Sequence, residues 1–319
     1  MQNTARPAMI LLAGEQAAPN LLPVRHYAPE AVIILHTSLA NSLRAAQNLK
    51  LRLGGRPTRL EPVDAYDPGE ATATISNLLQ EYPQAIVNVT GGTKPMSMAA
   101  LAAARTNGGQ PIYVRSQGAT TAIDVYAFDQ TGSPVVADSF VLTDVISLQD
   151  YLTIYFGTAF TCTDFGHGEG EAFERALYPI IESAVDEVAV GWKHNSGAVD
   201  VDFVLRCNNQ IGIIEAKTGK KAGTTDGIKQ LAVAGGQRFF GTYTQRFMVI
   251  DRELGERTNV RSLADALGIH VVQLPSFQGG TIVADEQREF VSRLVEKLGQ
   301  PVKAPGDRAA RYGASSRSS

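Results

Sequence analysis

The chain is expected to be an α/β protein of two units, and three observations predict this. Short apolar runs alternate with helix-like stretches over roughly the first third. A hairpin-like pair then closes that pattern, and a second αβ alternation begins at Glu171. A length of 319 residues points the same way, since a single core commonly serves about 150.

Taken in order, Ala8–Leu12, Ala31–Leu35, Ala85–Val89 and Pro111–Val114 have the length and apolar content of buried strands. Ser38–Leu53, Glu70–Glu81 and Lys94–Arg105 lie between them with helical character. Such alternation calls for right-handed crossovers and a mostly parallel sheet covered on both faces. Thr121–Phe128 and Pro134–Leu142 flank the turn-rich Asp129–Ser133 and read as an antiparallel hairpin added to that sheet. Ser147–Phe156 reads as a connecting helix, followed by the polar stretch Thr161–Gly170. The expected division is therefore 1–145 for the first domain, 146–168 for a linker and 169–299 for the second domain. Residues 300–319 are rich in Pro, Gly, Ser and Arg and lack apolar periodicity, so they are expected to form a disordered tail.

Composition excludes several classes. With 44% hydrophobic and 19% charged residues the chain has ample apolar surface to fold. No run of about 18 apolar residues is present, so no membrane partner is expected. A net charge of −3, from 29 basic and 32 acidic residues, argues against a general nucleic-acid coat but leaves room for a local basic groove. Cys162 and Cys207 are too few for a disulfide framework or a four-thiolate zinc site, and a reduced, cytoplasmic protein is the simplest expectation.

The sharpest motif of the first unit is Asn88–Ser97. A buried strand ends, Thr90, Gly91, Gly92, Thr93 and Lys94 follow, and a helix opens at Pro95 with Met96 in its first turn. Two glycines allow close backbone approach, Thr93 can cap the helix, the helix start offers free N–H groups to an anion, and Lys94 adds charge. The spacing matches neither a Walker loop nor G-x-G-x-x-G. Gly14, Glu15, Gln16 and Asn20 after the first strand, and Thr37 and Ser38 after the second, would share the same sheet edge, where open α/β sheets bind ligands. Thr37 or Ser38 could equally cap the helix that follows.

The second unit carries acids on strands. If Asn208-Asn209 forms a tight turn, Asp202 faces Glu215, Asp200 faces Lys217 and Val204 faces Ile213, all six projecting from one face. Two carboxylates directly opposed would repel, a conflict that a hard divalent cation removes. Lys217 would lie beside that cation, placed to orient a water or stabilise developing charge. Upstream, Glu174 borders the apolar stripe of a helix beginning near Gly170 and could add a ligand, directly or through water. Pro179 should kink or interrupt that helix.

In this order, Glu174, Asp202 and Glu215-Ala216-Lys217 resemble the PD-(D/E)XK, restriction-endonuclease-like nucleases. The first unit, with Thr90–Lys94 and Met96 on the Thr-Gly-Gly-Thr-Lys-x-Met loop, resembles the CARF domain, a Rossmann-like sensor of cyclic oligoadenylate. Together the halves resemble the CARF-domain ancillary nucleases of type III CRISPR defence. The departures are a short chain, and Val199-Asp200 where that pattern has Asn-Glu. The resemblance implies a homodimer that binds cyclic tetra-adenylate and hydrolyses phosphodiester bonds in DNA, single-stranded RNA or both. It implies Mn2+ or Mg2+ on Asp202, Glu215 and Glu174, and Lys217 assisting hydrolysis. A ligand-binding regulator whose second domain does not cut, and a nucleotide-dependent metabolic enzyme, are the competing readings.

Overall fold

The computed structural model describes residues 7–165, 168, 170–236, 238–255, 258–277, 280–302 and 311–312. It divides the chain after Gly157 into two compact units.

In the first unit, β1 (Met9–Leu12), β2 (Val32–His36), β3 (Thr58–Pro62), β4 (Ile86–Asn88) and β5 (Gln110–Gln117) are parallel, while β6 (Thr120–Phe128) and β7 (Pro134–Val141) extend the sheet antiparallel. The strand order is β3-β2-β1-β4-β5-β6-β7. Sequence order reverses direction between β1 and β4, the switch point at which such sheets open a crevice beyond their carboxyl ends. The helices α1 (Ala18–Tyr27), α2 (Ala40–Leu53), α3 (Pro68–Glu81) and α4 (Lys94–Asn107) make the crossovers. Ile10, Leu12, Ile33, Leu35 and Val87 pack with Ile75, Leu78 and Leu79 of α3 and Met96, Ala100 and Ala103 of α4 in one core. The small side chains along α4 let it lie close to the sheet. Asp67 caps α3 by accepting from the N–H groups of Gly69 and Glu70, and Thr93 caps α4.

The expected linker, 146–168, is not one. Ser147 and Asp150 form a capping box that starts α5 (Leu148–Phe156), which packs on α2 and belongs to the first unit. β8 (Phe160–Cys162) pairs with the first long strand of the second unit. Apolar content explains the difference, because Leu148, Leu152, Ile154 and Phe156 are all buried and such a helix cannot remain in solvent.

The second unit holds α6 (Glu171–Ala184), β9 (Glu187–His194), β10 (Asp200–Cys207), β11 (Gln210–Lys217), a 3-10 turn at Gly219–Gly223, α7 (Asp226–Ala234), β12 (Gln245–Ile250), α8 (Asn259–Ala266), β13 (His270–Gln273), α9 (Ala284–Leu298) and β14 (Arg311–Tyr312). The sheet order is β13-β12-β11-β10-β9-β14. β9 to β11 are an antiparallel meander, and β12 and β13 add in parallel to β11. Phe173, Leu177 and Ile181 of α6 and Phe290, Leu294 and Leu298 of α9 meet Phe203, Leu205, Ile214, Phe247 and Val249 on one face of the sheet.

Two further expectations are corrected. α6 runs through Pro179 without interruption. Pro179 and Arg175 lie on its exposed side, so the Arg175 carbonyl that loses its intrahelical donor faces water. Within the tail taken as disordered, Arg311 and Tyr312 pair in parallel with Val188 and Ala189. The rest of 303–319 lies outside the described residues.

Candidate functional site

At the carboxyl edge of the first sheet, the loops after β1, β2 and β4 come together through hydrogen bonds that use most of their polar groups. Asn20 is 1% exposed; its amide donates to Leu12 O at 2.9 Å and its carbonyl accepts from Asn88 Nδ2 at 3.0 Å. Thr90 Oγ1 donates to Asn88 Oδ1 at 2.6 Å and accepts the Val114 N–H at 2.7 Å, tying the loop to β5. The Thr37 hydroxyl accepts the Leu39 N–H, and Ser42 Oγ bridges Thr37 N and Ala13 O. Met96 is buried in the core. Of the residues expected to touch a ligand, Asn20, Thr37 and Met96 are buried and build the loops, while Thr90 ties its loop to β5 and stays partly exposed. Backbone groups at a buried sheet edge need partners, and these short polar side chains supply them.

The glycines have a structural duty of their own. A Cβ on Gly91 would lie 2.0 Å from Leu12 O, and Gly92 has φ +72° with Leu12 and Met96 against it. The end of β1 thus passes directly over the Gly-Gly pair. Thr93 Oγ1 donates to Ala65 O at 2.5 Å and accepts from Met96 N, fixing the start of α4. Glu15, Ser38 and Lys94 are exposed, with Gly14, Gln16, Gly91, Gly92 and Thr93 partly so. These backbone amides and side chains form the part of the edge that is open to a ligand. Sequence reasoning missed Asn41, whose amide donates to Glu15 Oε1 at 2.7 Å.

In the second unit the hairpin register is as expected near the turn. Asn208 takes φ +55°, and Cys207–Gln210, Val204–Ile213 and Phe203–Ile214 are paired. The ladder then stops. Beyond Phe203, the Asp202 side chain accepts the Ala216 N–H at 2.7 Å, so a carboxylate takes the place of a backbone acceptor. The expected pairs Asp202–Glu215 and Asp200–Lys217 are not backbone partners, because the strands are bridged there by a side chain.

Strand alternation still orders the faces. Ile214 lies in the core under α6, so Glu215 projects to the opposite face. On that face the Lys217 stem lies beneath α7, where a Cβ on Gly227 would meet it at 3.3 Å. Glu215 is 2% exposed. Its Oε1 is ion-paired with Lys217 Nζ, and its Oε2 is buried without a hydrogen-bond partner. Burial and the neighbouring Asp202 push the Glu215 carboxyl up to about 8. Burial raises Asp202 to about 6, opposed by the Ala216 N–H and supported by the charge of Glu174. Burial works against the Lys217 ammonium, yet Glu215, Asp202 and Asp200 outweigh it and raise its pKa.

Glu174, Asp202, Glu215 and Lys217 are therefore one electrostatic cluster, with Asp200 at its exposed rim. A divalent cation fits part of it. Glu215 Oε2 is an orphaned buried acceptor beside a second carboxylate, which is what a hard cation neutralises. Among the described residues, however, no three His, Cys, Asp or Glu side chains are grouped closely enough to hold one ion. Glu174 reaches the cluster through its charge on Asp202, from the α6 side of the sheet. Beside the cluster, Ala198, Val199, Asp200, Lys229, Gln230 and Val233 line a cavity of about 240 Å³. Lys229 and Gln230 of α7 thus stand over its acidic rim.

Two α/β units, a Rossmann-like one with an anion-type loop and one with buried acids and a lysine on adjoining strands, define the class of the chain. Residues 8–151, most of the first unit, match the family model described as Card1 CARF domain. No curated protein sequence matches the chain significantly. Among solved structures, it is similar to Can2 from Sulfobacillus thermosulfidooxidans in complex with cyclic tetra-adenylate, with TM-score 0.66 and 18% identity over 91% of this chain and 99% of that one. It is also similar to protein VC1899 from Vibrio cholerae, with TM-score 0.69 and 12% identity over 93% and 100% of the two chains. A type III CRISPR defence DNA nuclease activated by cyclic oligoadenylate gives TM-score 0.55 and 15% identity over 90% of this chain and 51% of that one. At these identities the likeness is one of fold, and in the first two cases it extends through both units.

Proposed function

We propose that the chain is a metal-dependent nuclease of type III CRISPR defence, switched on by a cyclic oligoadenylate, with DNA, single-stranded RNA or both as substrate. The observation that carries this reading is the buried Glu215, with its orphaned oxygen, beside the partly exposed Asp202 and Lys217. A purely structural ion pair would leave neither a second carboxylate beside it nor an unpartnered buried acceptor. That the matched CARF domain precedes this cluster, and that the similar structures include a cyclic tetra-adenylate complex and a cyclic-oligoadenylate-activated nuclease, supports the activator.

Asp202 and Glu215 would hold Mn2+ or Mg2+, with Glu174 acting through water; when bound, the ion supplies charge neutralisation and an acidified water. Lys217 offers an ammonium, held beneath α7, to orient the attacking water or to offset phosphorane charge. Lys229 and Gln230 would steady the substrate backbone beside Asp200. In the first unit, the Gly91–Thr93 amides, the start of α4 and Lys94 would take phosphates, and Glu15, Gln16 and Ser38 would read the bases. A ring with twofold symmetry suits two copies of this edge related by an isologous axis, which makes the active form a homodimer.

Cleavage of supercoiled plasmid and of labelled single-stranded DNA and RNA, with Mn2+ or Mg2+ and with or without cyclic tetra-adenylate, tests the reading. Cleavage only with metal and activator together is the expected result. One observation favours a second reading: among the described residues no three acids are grouped as a ready metal site, as suits a regulator that binds nucleic acid without cutting. Tight activator binding with no cleavage of any substrate would establish that alternative.

A further inference from the structure

We propose that Tyr155 is a positioning residue of the nucleotide edge, holding Gln16 in place and relaying its displacement to the point where the second unit begins. This rests on the activator reading above. The Tyr155 hydroxyl donates to Gln16 Oε1 at 3.1 Å, joining two residues 139 positions apart. Gln16 lies in the loop between β1 and α1, partly exposed among the residues open to a ligand. Tyr155 is 7% exposed and stacks on Tyr151 with ring centroids 4.6 Å apart, so its phenol has a set direction.

The rest of α5 shows why a pull at Gln16 is transmitted rather than absorbed. At its first turn the buried Asp150 is ion-paired with Arg25 of α1 at 2.5 Å and Arg52 of α2 at 2.6 Å. Near its last turn, Asn48 Nδ2 donates to Ile154 O at 3.3 Å. The helix ends on Gly157, whose φ of +60° and whose Cβ position, 2.9 Å from Asn48 Oδ1, exclude a side chain. The amino end of α5 is thus anchored, and the group touching the ligand loop sits two residues from that glycine. The second unit starts at the next residue, Thr158. α1 starts two residues after Gln16 and is itself tied to α5 through Arg25, so a shift of the loop reaches α5 by two routes. A packed helix moves as a body, because its hydrogen bonds resist local stretching.

The experiment compares the wild-type chain with Tyr155→Phe, Gln16→Leu and the double variant. It reads affinity for cyclic tetra-adenylate by calorimetry and the activator concentration giving half-maximal cleavage. In Tyr155→Phe, loss of one hydrogen bond should raise that midpoint about 3- to 10-fold, with a smaller change in affinity. The double variant should be no worse than Gln16→Leu alone, since the bond that Tyr155→Phe removes is already gone. Gln16→Leu also removes a side chain proposed to read the bases, so it should lower affinity directly and serves as the background in which Tyr155→Phe has no bond left to remove. A midpoint that in Tyr155→Phe is unchanged or tracks affinity one to one, or that worsens additively in the double variant, overturns the relay. A wild-type chain that fails to bind the activator, or binds and never cuts, would instead refute the proposed function and the relay with it.

Discussion

The two polar sites of this chain are built on opposite principles. At the edge of the first sheet nearly every buried polar atom is satisfied: Asn20, Asn88, Thr90, Thr37 and Ser42 bond to backbone or to one another. On the second sheet the buried Glu215 lies near the partly exposed Asp202, one Glu215 oxygen has no hydrogen-bond partner, and the Lys217 ammonium only partly offsets the charge. The first site is a shaped surface that costs little to keep without a ligand. The second is electrostatically frustrated, and its surroundings, Phe203, Ile214 and Phe247 beneath and α7 above, hold it there. A recognition surface has to offer a fixed shape, whereas a site for a cation has to offer uncompensated negative charge.

The sharpest way to break this comparison is to remove the frustration. Lys217→Ala and Glu215→Gln should each lower activated cleavage by at least about 100-fold, while activator affinity measured by calorimetry stays within about 2-fold. Cleavage at the wild-type rate by either variant would show that the second cluster is an ordinary buried ion pair.

The same frustration has a pH signature. Both carboxyl groups titrate above their ordinary values of about 4 in the folded chain, toward about 6 for Asp202 and about 8 for Glu215. Their contribution to stability is fully present below pH 4 and is lost as pH rises through those values. Lys217 is shifted upward, so its contribution is present below its unfolded value near 10.5 and is constant across pH 5–9. Glu215→Gln cannot take on this charge. Relative to wild type, its melting temperature in EDTA should improve steadily from pH 5 to pH 9. Mn2+ should raise the wild-type melting temperature more at pH 8 than at pH 5, with protons released on binding at pH 7. A pH-independent difference would mean that the two carboxylates are not strained by burial.

For the first site the matching test is steric. A Cβ at Gly91 would lie 2.0 Å from the Leu12 carbonyl, a contact that backbone must move to relieve. Gly91→Ala should therefore destabilise the chain by about 1–3 kcal/mol and weaken cyclic tetra-adenylate binding as the loop is displaced. Gly223→Ala, where φ is not positive and a Cβ would meet nothing nearer than 3.9 Å, should cost little. Equal effects in thermal melts would refute the close approach.

How much of this was legible in the sequence follows from the same contrast. β1, β2 and β4 are buried on both faces and show as apolar runs, and the Asn208 turn gave the hairpin register down to Phe203–Ile214. β3 was not legible, because Thr58–Pro62 has no fully buried residue and ends in proline. Nor was α1, whose residues 20–24 are all buried, leaving no polar face to set a period, and which contains Pro19 and Pro23. That Asp202, Glu215 and Lys217 lie near one another was legible, since the turn and strand alternation put them on adjoining strands. The bridging of Asp202 to Ala216 was not, because a side chain replacing a ladder bond leaves no trace in residue spacing. At the first site the motif was visible but its division of labour was not. Gly91 reads as a place for a phosphate, yet the atom that crowds it belongs to β1.

Lys94 sharpens that division. It is exposed at the first residue of α4, directly after the capping Thr93, where the helix amides point outward. Its charge is therefore free to meet a phosphate, and removing it should leave the fold intact, in contrast to Gly91. Lys94→Ala should melt within about 1 °C of wild type, as expected for an exposed side chain, and should raise the half-maximal activator concentration about 10-fold. Lys94→Arg should recover most of the loss, since it keeps the charge. The effect should also shrink as salt is raised, because exposed charges are screened over about 8 Å at physiological ionic strength. A Lys94→Ala chain with unchanged activation at low salt would move the phosphate contacts wholly onto the Gly91–Thr93 backbone and would leave the α4 start as a capped turn.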